Sequence, residues 1–162
     1  MWQLLIIACY IGVQNTQGRT FTLCPDGWLA NRGSCYWFGH IETPMDFTTA
    51  EEYCRHHSSH LVHVNNSDEN DFLKDRLRQL RPSHFWMGLT DELTEGHWVW
   101  SDTDTTAPFL NFNPSEQAHS TEDCVIFARN YDYTWADYEC SNRVAPLCEM
   151  PGWSDPEVAI VG

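Results

Sequence analysis

Two segments in the first half of the chain carry apolar residues at helical spacing. The first, residues 47–61, reads FTTAEEYCRHHSSHL. Residues three and four positions apart in it share one helical face: Ala50, Tyr53, Cys54 and His57. Thr49 followed by Glu52 has the pattern of a capping box. The pattern therefore predicts a helix that turns Cys54 toward the core.

The second segment, residues 67–80, reads SDENDFLKDRLRQL and predicts another helix. Its apolar stripe consists of Leu73, Leu77 and Leu80. Ser67 or Asn66 would cap its amino end, and Pro82 would end it. Charges of the sign that the helix dipole favours stand near its two ends: Asp68 and Glu69, then Arg78 and Arg81. We expect this leucine stripe to be buried.

From residue 84 onward the pattern changes to short aromatic and β-branched runs between polar loops. Such runs are typical of strands, so the chain as a whole is predicted to be α+β, with antiparallel sheets. Core packing is the favoured role of the tryptophans in these runs: Trp86, Trp98, Trp100 and Trp135. Between two of the runs, residues 101–122 show little periodicity, and structureless loops of that length are usually functional.

The amino-terminal segment is apolar and uncharged. Its apolar run, from Trp2 to Val13, is shorter than the roughly 20 residues that span a bilayer. It fits the hydrophobic region of a secretory signal peptide, which we place at residues 1–18. No later segment is predicted to cross a membrane. The expected location of the protein is therefore extracellular.

Composition narrows the classes of partner. The net charge is −14, from nine Lys and Arg against 23 Asp and Glu. Nucleic-acid binding needs a basic face, so no nucleic-acid partner is expected, whereas cation binding is compatible with this charge. Hydrophobic residues make up 42% of the chain and aromatic residues 14%, which is enough to build a packed core.

Cysteine usage agrees with secretion. Seven Cys are present, and removal of Cys9 with the signal peptide leaves an even number. The remaining six are Cys24, Cys35, Cys54, Cys124, Cys140 and Cys148. Six Cys allow 15 disulfide connectivities, among which spacing alone cannot choose. The sequence contains no C-x-x-C pair, so the cysteines do not indicate a zinc site.

Four histidines stand close together in the sequence: His56, His57, His60 and His63. His56 and His60 would stand one turn apart if the first helix continued, which is a spacing that can bind zinc. We favour the simpler interpretation, in which a frayed helix end leads into a strand.

Five motifs in order resemble a known family. CPDGWLANRGSCYWF (24–38) resembles an extra amino-terminal hairpin, and FWMGLTD (85–91) resembles a Trp-Ile-Gly-Leu strand. NPS (113–115) stands where Glu-Pro-Asn or Gln-Pro-Asp is expected, EDC (122–124) follows it, and WADYEC (135–140) resembles a Trp-Asn-Asp motif. With six Cys in register, the chain resembles a C-type lectin-like domain over residues 24–149. It is most similar to secreted, single-domain, long-form lectins of invertebrates such as molluscs.

The resemblance implies an organisation and a pairing. The signal peptide (1–18) would precede one domain (24–149) and a C-terminal tail (150–162). The implied fold is a C-type lectin-like α+β fold with two helices, antiparallel sheets, a long loop and three disulfides. The implied disulfides are Cys24–Cys35, Cys54–Cys148 and Cys124–Cys140. The family is not enzymatic, so no catalytic residue is expected.

In sugar-binding members of this family, a calcium ion on the long loop contacts both protein oxygens and sugar hydroxyls. The resemblance places this site at Asn113, Ser115, Glu122, Ala136 and Asp137, with Pro114 in the cis form. Glu122 and Asp137 match the family pattern. Asn113 keeps an oxygen without a charge, Ser115 has only a short hydroxyl, and Ala136 offers no ligand. We therefore expect carbohydrate contacts from Asn113, Ser115, Glu122 and Asp137, and a weakened sugar-site calcium.

Some family members bind an auxiliary calcium near the same loop. Carboxylates fall on or near its positions: Asp91, Glu95, Glu116, Glu122 and Asp123. Five acids at close range repel one another and raise one another's pKa, so a cation is expected at this cluster.

Two functions remain open at this point. The first is a secreted lectin that recognises glycans with the help of calcium, in innate defence. The second is a calcium-independent module on the same fold that binds a protein or a mineral surface such as calcium carbonate. Asn-Pro-Ser matches neither the mannose nor the galactose motif, and its amide gives a slight lean toward galactose. No coiled coil is present, so any homo-oligomer would form through the domain itself.

Overall fold

The computed structural model describes residues 21–80, 83–116 and 121–154. The two α-helices are α1 (Phe47–His56) and α2 (Ser67–Gln79). The strands are β1 (Thr22–Leu23), β2 (Leu29–Asn31), β3 (Ser34–Phe38), β4 (His60–Leu61), β5 (Phe85–Thr90), β6 (Val99–Trp100), β7 (Thr105–Thr106), β8 (Cys124–Ala128), β9 (Thr134–Tyr138), β10 (Ala145–Pro151) and β11 (Trp153–Ser154). The predicted α+β class is confirmed. The predicted signal peptide lies outside the described residues.

Helix α1 begins earlier than its sequence pattern suggests. Asp46 is the N-cap, and its carboxylate accepts a hydrogen bond from the backbone N–H of Thr49. The predicted capping box at Thr49 is therefore wrong, because Asp46 already has the extended backbone that a cap requires. The helix ends at His56, and His60 lies in strand β4, so the two histidines do not form a pair on one helix.

Helix α2 is capped by Asn66, whose side chain accepts from the N–H of Glu69. Leu73 and Leu77 are fully buried, as predicted, but Leu80 is 41% exposed. The prediction for Leu80 is wrong because its backbone is extended at the C-cap, which takes its side chain off the helical face. Arg81 and Pro82 lie outside the described residues.

The strands form one large sheet system and one small sheet. The large one runs in the order β2-β3-β10-β5-β6-β7, with β4 paired to β10, and with β8 paired to both β5 and β9. The pair β5–β10 is parallel, and the other strand pairs of the described residues are antiparallel, as predicted. Central strand β10 therefore connects the sheet near both helices with the sheet that supports the long loop.

Strands β1 and β11 bring the two ends of the described chain together. Strand β10 runs to Pro151, and β11 follows after Gly152, so the predicted tail begins with residues of two paired strands. Residues 155–162 lie outside the described residues.

The core is aromatic. Trp86 and Trp135 are completely buried, and Trp98 and Trp100 nearly so, which confirms that these side chains pack rather than face solvent. Strand β5 is buried along its whole length because β8 and β10 flank it and both its faces are covered. No helix of the described residues is long and apolar enough to cross a membrane.

Disulfides join Cys24 to Cys35, Cys54 to Cys148, and Cys124 to Cys140, which confirms the implied pairing. The second bridge links α1 to the central strand β10. The third ties the start of β8 to the residues that follow β9, and so fixes the two strands that end beside the long loop.

Candidate functional site

The long loop is anchored at its centre by one aromatic residue. Phe112 is buried and packs on Trp98, with ring centroids 4.7 Å apart, and on Trp135 at 5.8 Å. Backbone hydrogen bonds on either side of it join Asn113 N–H to the Trp135 carbonyl and Trp135 N–H to the Asn111 carbonyl. Residues 113–116 therefore leave from a fixed point beside strand β9.

Residues 113–116 form a tight turn closed by a hydrogen bond of 2.9 Å from Glu116 N–H to the Asn113 carbonyl. The Asn113 side-chain oxygen accepts from the N–H of Ser115 at 3.1 Å and from its hydroxyl at 2.8 Å. The expected cis bond at Pro114 is wrong, since no described peptide bond is cis. A trans proline fits the second position of such a turn, and the Asn113–Ser115 contacts stabilise it.

Three carboxylates converge next to this turn. One oxygen from each of Glu116, Glu122 and Asp137 lies within 4.8 Å of the others. Asp137 belongs to strand β9 and is only 2% exposed, while Glu122 lies two residues before β8. Strands β8 and β9 pair directly, which sets Glu122 and Asp137 at neighbouring strand ends. The three acids form a converging set of hard oxygen donors, which we call the loop triad.

Hydrogen bonds hold Glu116 in the loop triad. The hydroxyl of Tyr131 donates to Glu116 at 2.7 Å, and that of Ser115 donates to it at 3.4 Å. The Glu116 hydrogen bond also raises the pKa of Tyr131, because it stabilises the protonated phenol. Sequence reasoning missed Tyr131: it follows β8 in a short 3-10 turn that no motif marks.

A second set of acids lies around Asp91. Asp91 is 2% exposed; one of its carboxylate oxygens accepts from Gly96 N–H at 2.7 Å, and the other is buried without a hydrogen-bond partner among the described residues. Burial raises the pKa of Asp91, and the charges of Glu95 and Asp123 add to the rise. A buried acid oxygen without a donor is a suitable ligand for a cation.

The structure thus divides the predicted metal residues into two sets. Glu116 and Glu122 lie with Asp137 in the loop triad. Asp91 follows strand β5, and the charges of Glu95 and Asp123 contribute to the raised pKa of Asp91 after burial does. Among the predicted sugar residues, Glu122 and Asp137 lie close together. Ser115 donates a hydrogen bond to Glu116, which lies beside both of them. Asn113 contacts Ser115, and Ala136 is buried.

Comparison with known proteins identifies the domain. Residues 43–150 match the Lectin C-type domain family. Perlucin from Haliotis laevigata is 34% identical over 78% of this chain and 82% of its own length. Human C-type lectin domain family 10 member A is 34% identical over 88% of this chain but only 45% of its own length. The chain also spans half the length of mouse asialoglycoprotein receptor 1.

Solved structures with the same fold agree. The carbohydrate-recognition domain of the mouse scavenger receptor C-type lectin superposes with a TM-score of 0.69, at 26% identity, over 79% of this chain and 98% of that domain. A calcium-independent type II antifreeze protein superposes with a TM-score of 0.72, at 22% identity, over 82% of this chain and 98% of its own, and shows the shared fold alone. The chain therefore belongs to the C-type lectin domain family.

Proposed function

We propose that this protein is a secreted lectin that binds carbohydrate with the help of calcium held by the loop triad. The observation that carries the proposal is the convergence of Glu116, Glu122 and Asp137 within 4.8 Å beside the exposed turn at Pro114 and Ser115. Membership of the family supports carbohydrate as the ligand class. The predicted signal peptide and the three disulfides support secretion.

The donor set fits calcium. Calcium takes 6–8 oxygen ligands and tolerates irregular geometry. The loop triad supplies carboxylates, and the oxygens of Asn113 and Ser115 lie next to it through the hydrogen bond from Ser115 to Glu116. Three negative charges at this range repel one another in the absence of a cation, so binding relieves that repulsion. Two neighbouring hydroxyls of a sugar would complete the shell.

Glu116 changes the expected strength of this site. The sequence motifs alone place two acids, Glu122 and Asp137, at the sugar site, whereas the geometry adds Glu116 as a third. More charged ligands give tighter calcium binding, so Glu116 offsets the loss of charge at Asn113. The amide of Asn113 favours galactose-type sugars slightly over mannose-type sugars. Weak single-site affinity would be raised by multivalent presentation, for a role in innate defence.

We place a second calcium ion at Asp91, Glu95 and Asp123. The support is the buried Asp91 oxygen that no described group satisfies. A cation there would supply the missing partner of Asp91, whose pKa is raised first by burial and then by the charges of Glu95 and Asp123. Its role would be structural, since Asp91 directly follows strand β5 and precedes the turn that ends at Gly96.

Calorimetric calcium titration tests both sites. The wild-type protein is expected to bind two ions, Glu122→Gln to lose the sugar-linked one, and Asp91→Asn to lose the other. Galactose is expected to tighten the first ion only, because that ion and the sugar share a shell and their binding is linked. Glu139→Gln, an exposed acid beside β9, is the matched control and should behave as wild type. Calcium binding that neither galactose nor mannose changes would contradict the lectin proposal.

A calcium-independent protein- or mineral-binding role is the second candidate. The observation in its favour is that the Asn113 side-chain oxygen already accepts two hydrogen bonds from Ser115. A galactose or mannose resin discriminates the two: a lectin should load with calcium and elute with EDTA. Failure to load on either resin, together with retention on calcium carbonate, would favour the mineral-binding role.

A further inference from the structure

Two histidines and an aspartate meet on the side of the molecule where helix α1 ends. One possible ligand atom from each of His60, His63 and Asp102 lies within 4.8 Å of the other two. The Nε2 atom of His63 is 2.9 Å from a carboxylate oxygen of Asp102, and the rings of His60 and His63 are 4.2 Å apart between centroids. None of the three belongs to the loop triad or to the acids around Asp91.

The fold fixes these side chains from two distant segments. His60 begins strand β4, which pairs with the central strand β10. The backbone N–H of His63 donates to the buried Glu149 at 3.1 Å, and its ring stacks on Trp100 with centroids 4.4 Å apart. Asp102 lies in a turn that follows β6. The backbone N–H groups of Thr103 and Asp104 both donate to the carbonyl of Trp100 and hold this turn in place. The ring positions are therefore set by core contacts.

One imidazole already has a tautomer suited to a metal ligand. The Nδ1 atom of His60 lies 2.9 Å from the carbonyl oxygen of Leu61. A carbonyl can only accept, so Nδ1 carries the proton, and the lone pair of the neutral ring is on Nε2. Ligating histidines usually have this arrangement, in which a backbone carbonyl holds the second nitrogen and orients the ring.

The cluster also opens to solvent. His60 and Asp102 line a cleft of about 610 Å³, together with the polar side chains of Glu51, Glu52, Arg55 and Ser101. The side chain of Asp102 is 35% exposed and that of His63 is 16% exposed, so an ion can enter without unfolding. Three protein ligands beside an open cleft leave one position of a four-coordinate ion for water or an external ligand.

We propose that His60, His63 and Asp102 form a binding site for a divalent transition-metal ion of the zinc type. Imidazole nitrogen and carboxylate oxygen are standard zinc ligands, whereas calcium prefers oxygen alone, so this site differs in chemistry from the loop triad. Ligand atoms of tetrahedral zinc lie about 3.4 Å apart, given bonds of about 2.1 Å. The three ligand atoms lie within 4.8 Å of one another, and the side chain of Asp102, which is 35% exposed, can adjust toward that spacing while the rings stay in place. A zinc ion on Nε2 of His63 replaces the proton shared with Asp102, which moves to Nδ1 of the same ring or to solvent.

The test is a zinc titration of the whole chain in saturating calcium, which occupies oxygen-only sites. Wild type is expected to bind one Zn²⁺. His60→Gln and Asp102→Asn are each expected to weaken the binding at least tenfold. His56→Gln removes an exposed histidine of the same segment and should leave it unchanged, as should Glu122→Gln, which affects the loop triad.

Cobalt provides an independent readout that does not depend on affinity alone. Co²⁺ bound in place of zinc should show the visible absorption of a tetrahedral site in the wild type, and Asp102→Asn should lose it. Circular dichroism of each variant checks the fold, and Asp102→Asn is the decisive change because Asp102 lies in an exposed turn. The proposal is overturned if the wild type binds no zinc, or if folded Asp102→Asn and His60→Gln bind it as tightly as His56→Gln does.

Discussion

Glu149 is a buried acid of strand β10, only 7% exposed to solvent. It accepts from His63 N–H, and burial raises its pKa to about 7; the nearby charge of Glu69 adds to the rise, while hydrogen bonds from Ser34 and His63 oppose it. The hydroxyl of Tyr36 donates to Glu69. The pKa of Tyr36 is also raised, first by burial and then by the charges of Glu149 and Glu69. The fold therefore holds Glu149 partly protonated near neutral pH.

The first prediction concerns the pH dependence of Glu149→Gln. Since the folded-state pKa of Glu149 is raised, the folded state holds more protons than the unfolded state between about pH 4.5 and 7, and wild-type stability falls as the pH rises through that range. At pH 8 the variant should be more stable than wild type by up to about 3 kcal/mol, and near pH 4 by little. Urea unfolding in EDTA at both pH values measures the difference.

The exposed Glu139→Gln variant is the control for that experiment, and its stability difference from wild type should be the same at both pH values. A Glu149→Gln variant that is less stable than wild type at pH 8 would show that the charged form of Glu149 is stabilised by the fold.

The sequence identifies some residues of the candidate sites and misses others for a physical reason. Glu122 and Asp137 are predictable because each stands beside a motif that fixes its place on a strand end. Glu116 depends on a turn whose shape is set by Asn113 and Ser115, and Tyr131 reaches it from another loop. Asp102 meets His63 across 39 residues of chain. Contacts of that kind follow from the tertiary fold and leave no local pattern.

At the scale of elements, sequence periodicity predicts that the helices exist but not where they begin and end. Both buried leucines of α2 follow from spacing, whereas Leu80 fails because the chain leaves the helix there. Caps are harder still, since a cap needs an extended backbone at one residue, and several polar residues compete for that role. In α1 the competition is resolved in favour of Asp46, and in α2 in favour of Asn66.

The second prediction separates the two candidate caps of α2. Asn66→Ala should destabilise the protein by about 1 kcal/mol, because the N–H of Glu69 loses its acceptor. Ser67→Ala should change stability by less than about 0.5 kcal/mol, since Ser67 is an exposed residue of the first turn. Asn65-Asn66-Ser67 is an N-glycosylation sequon that Ser67→Ala removes, so both variants are produced without glycosylation, and their chemical unfolding gives the comparison. Equal losses would contradict the assignment of Asn66 as the cap.

At the scale of the whole molecule, the disulfides show what a sequence can settle alone and what it cannot. Counting cysteines leaves 15 pairings, and the correct one follows only from the family resemblance, because Cys54 and Cys148 are 94 residues apart. The structure explains the choice: α1 packs on β10, and the completely buried Cys54 and Cys148 face each other between them. Helix packing and strand order, which no local pattern encodes, decide this bridge.

The third prediction compares the longest bridge with the shortest. Replacing Cys54 and Cys148 by alanine should destabilise the protein by about 5 kcal/mol, and replacing Cys24 and Cys35 by about 3 kcal/mol, because a bridge that closes a longer loop restricts the unfolded chain more. Denaturant unfolding of the two double variants in calcium gives both values. If removal of Cys24–Cys35 costs more, the amino-terminal hairpin, rather than the link between α1 and β10, holds the domain together.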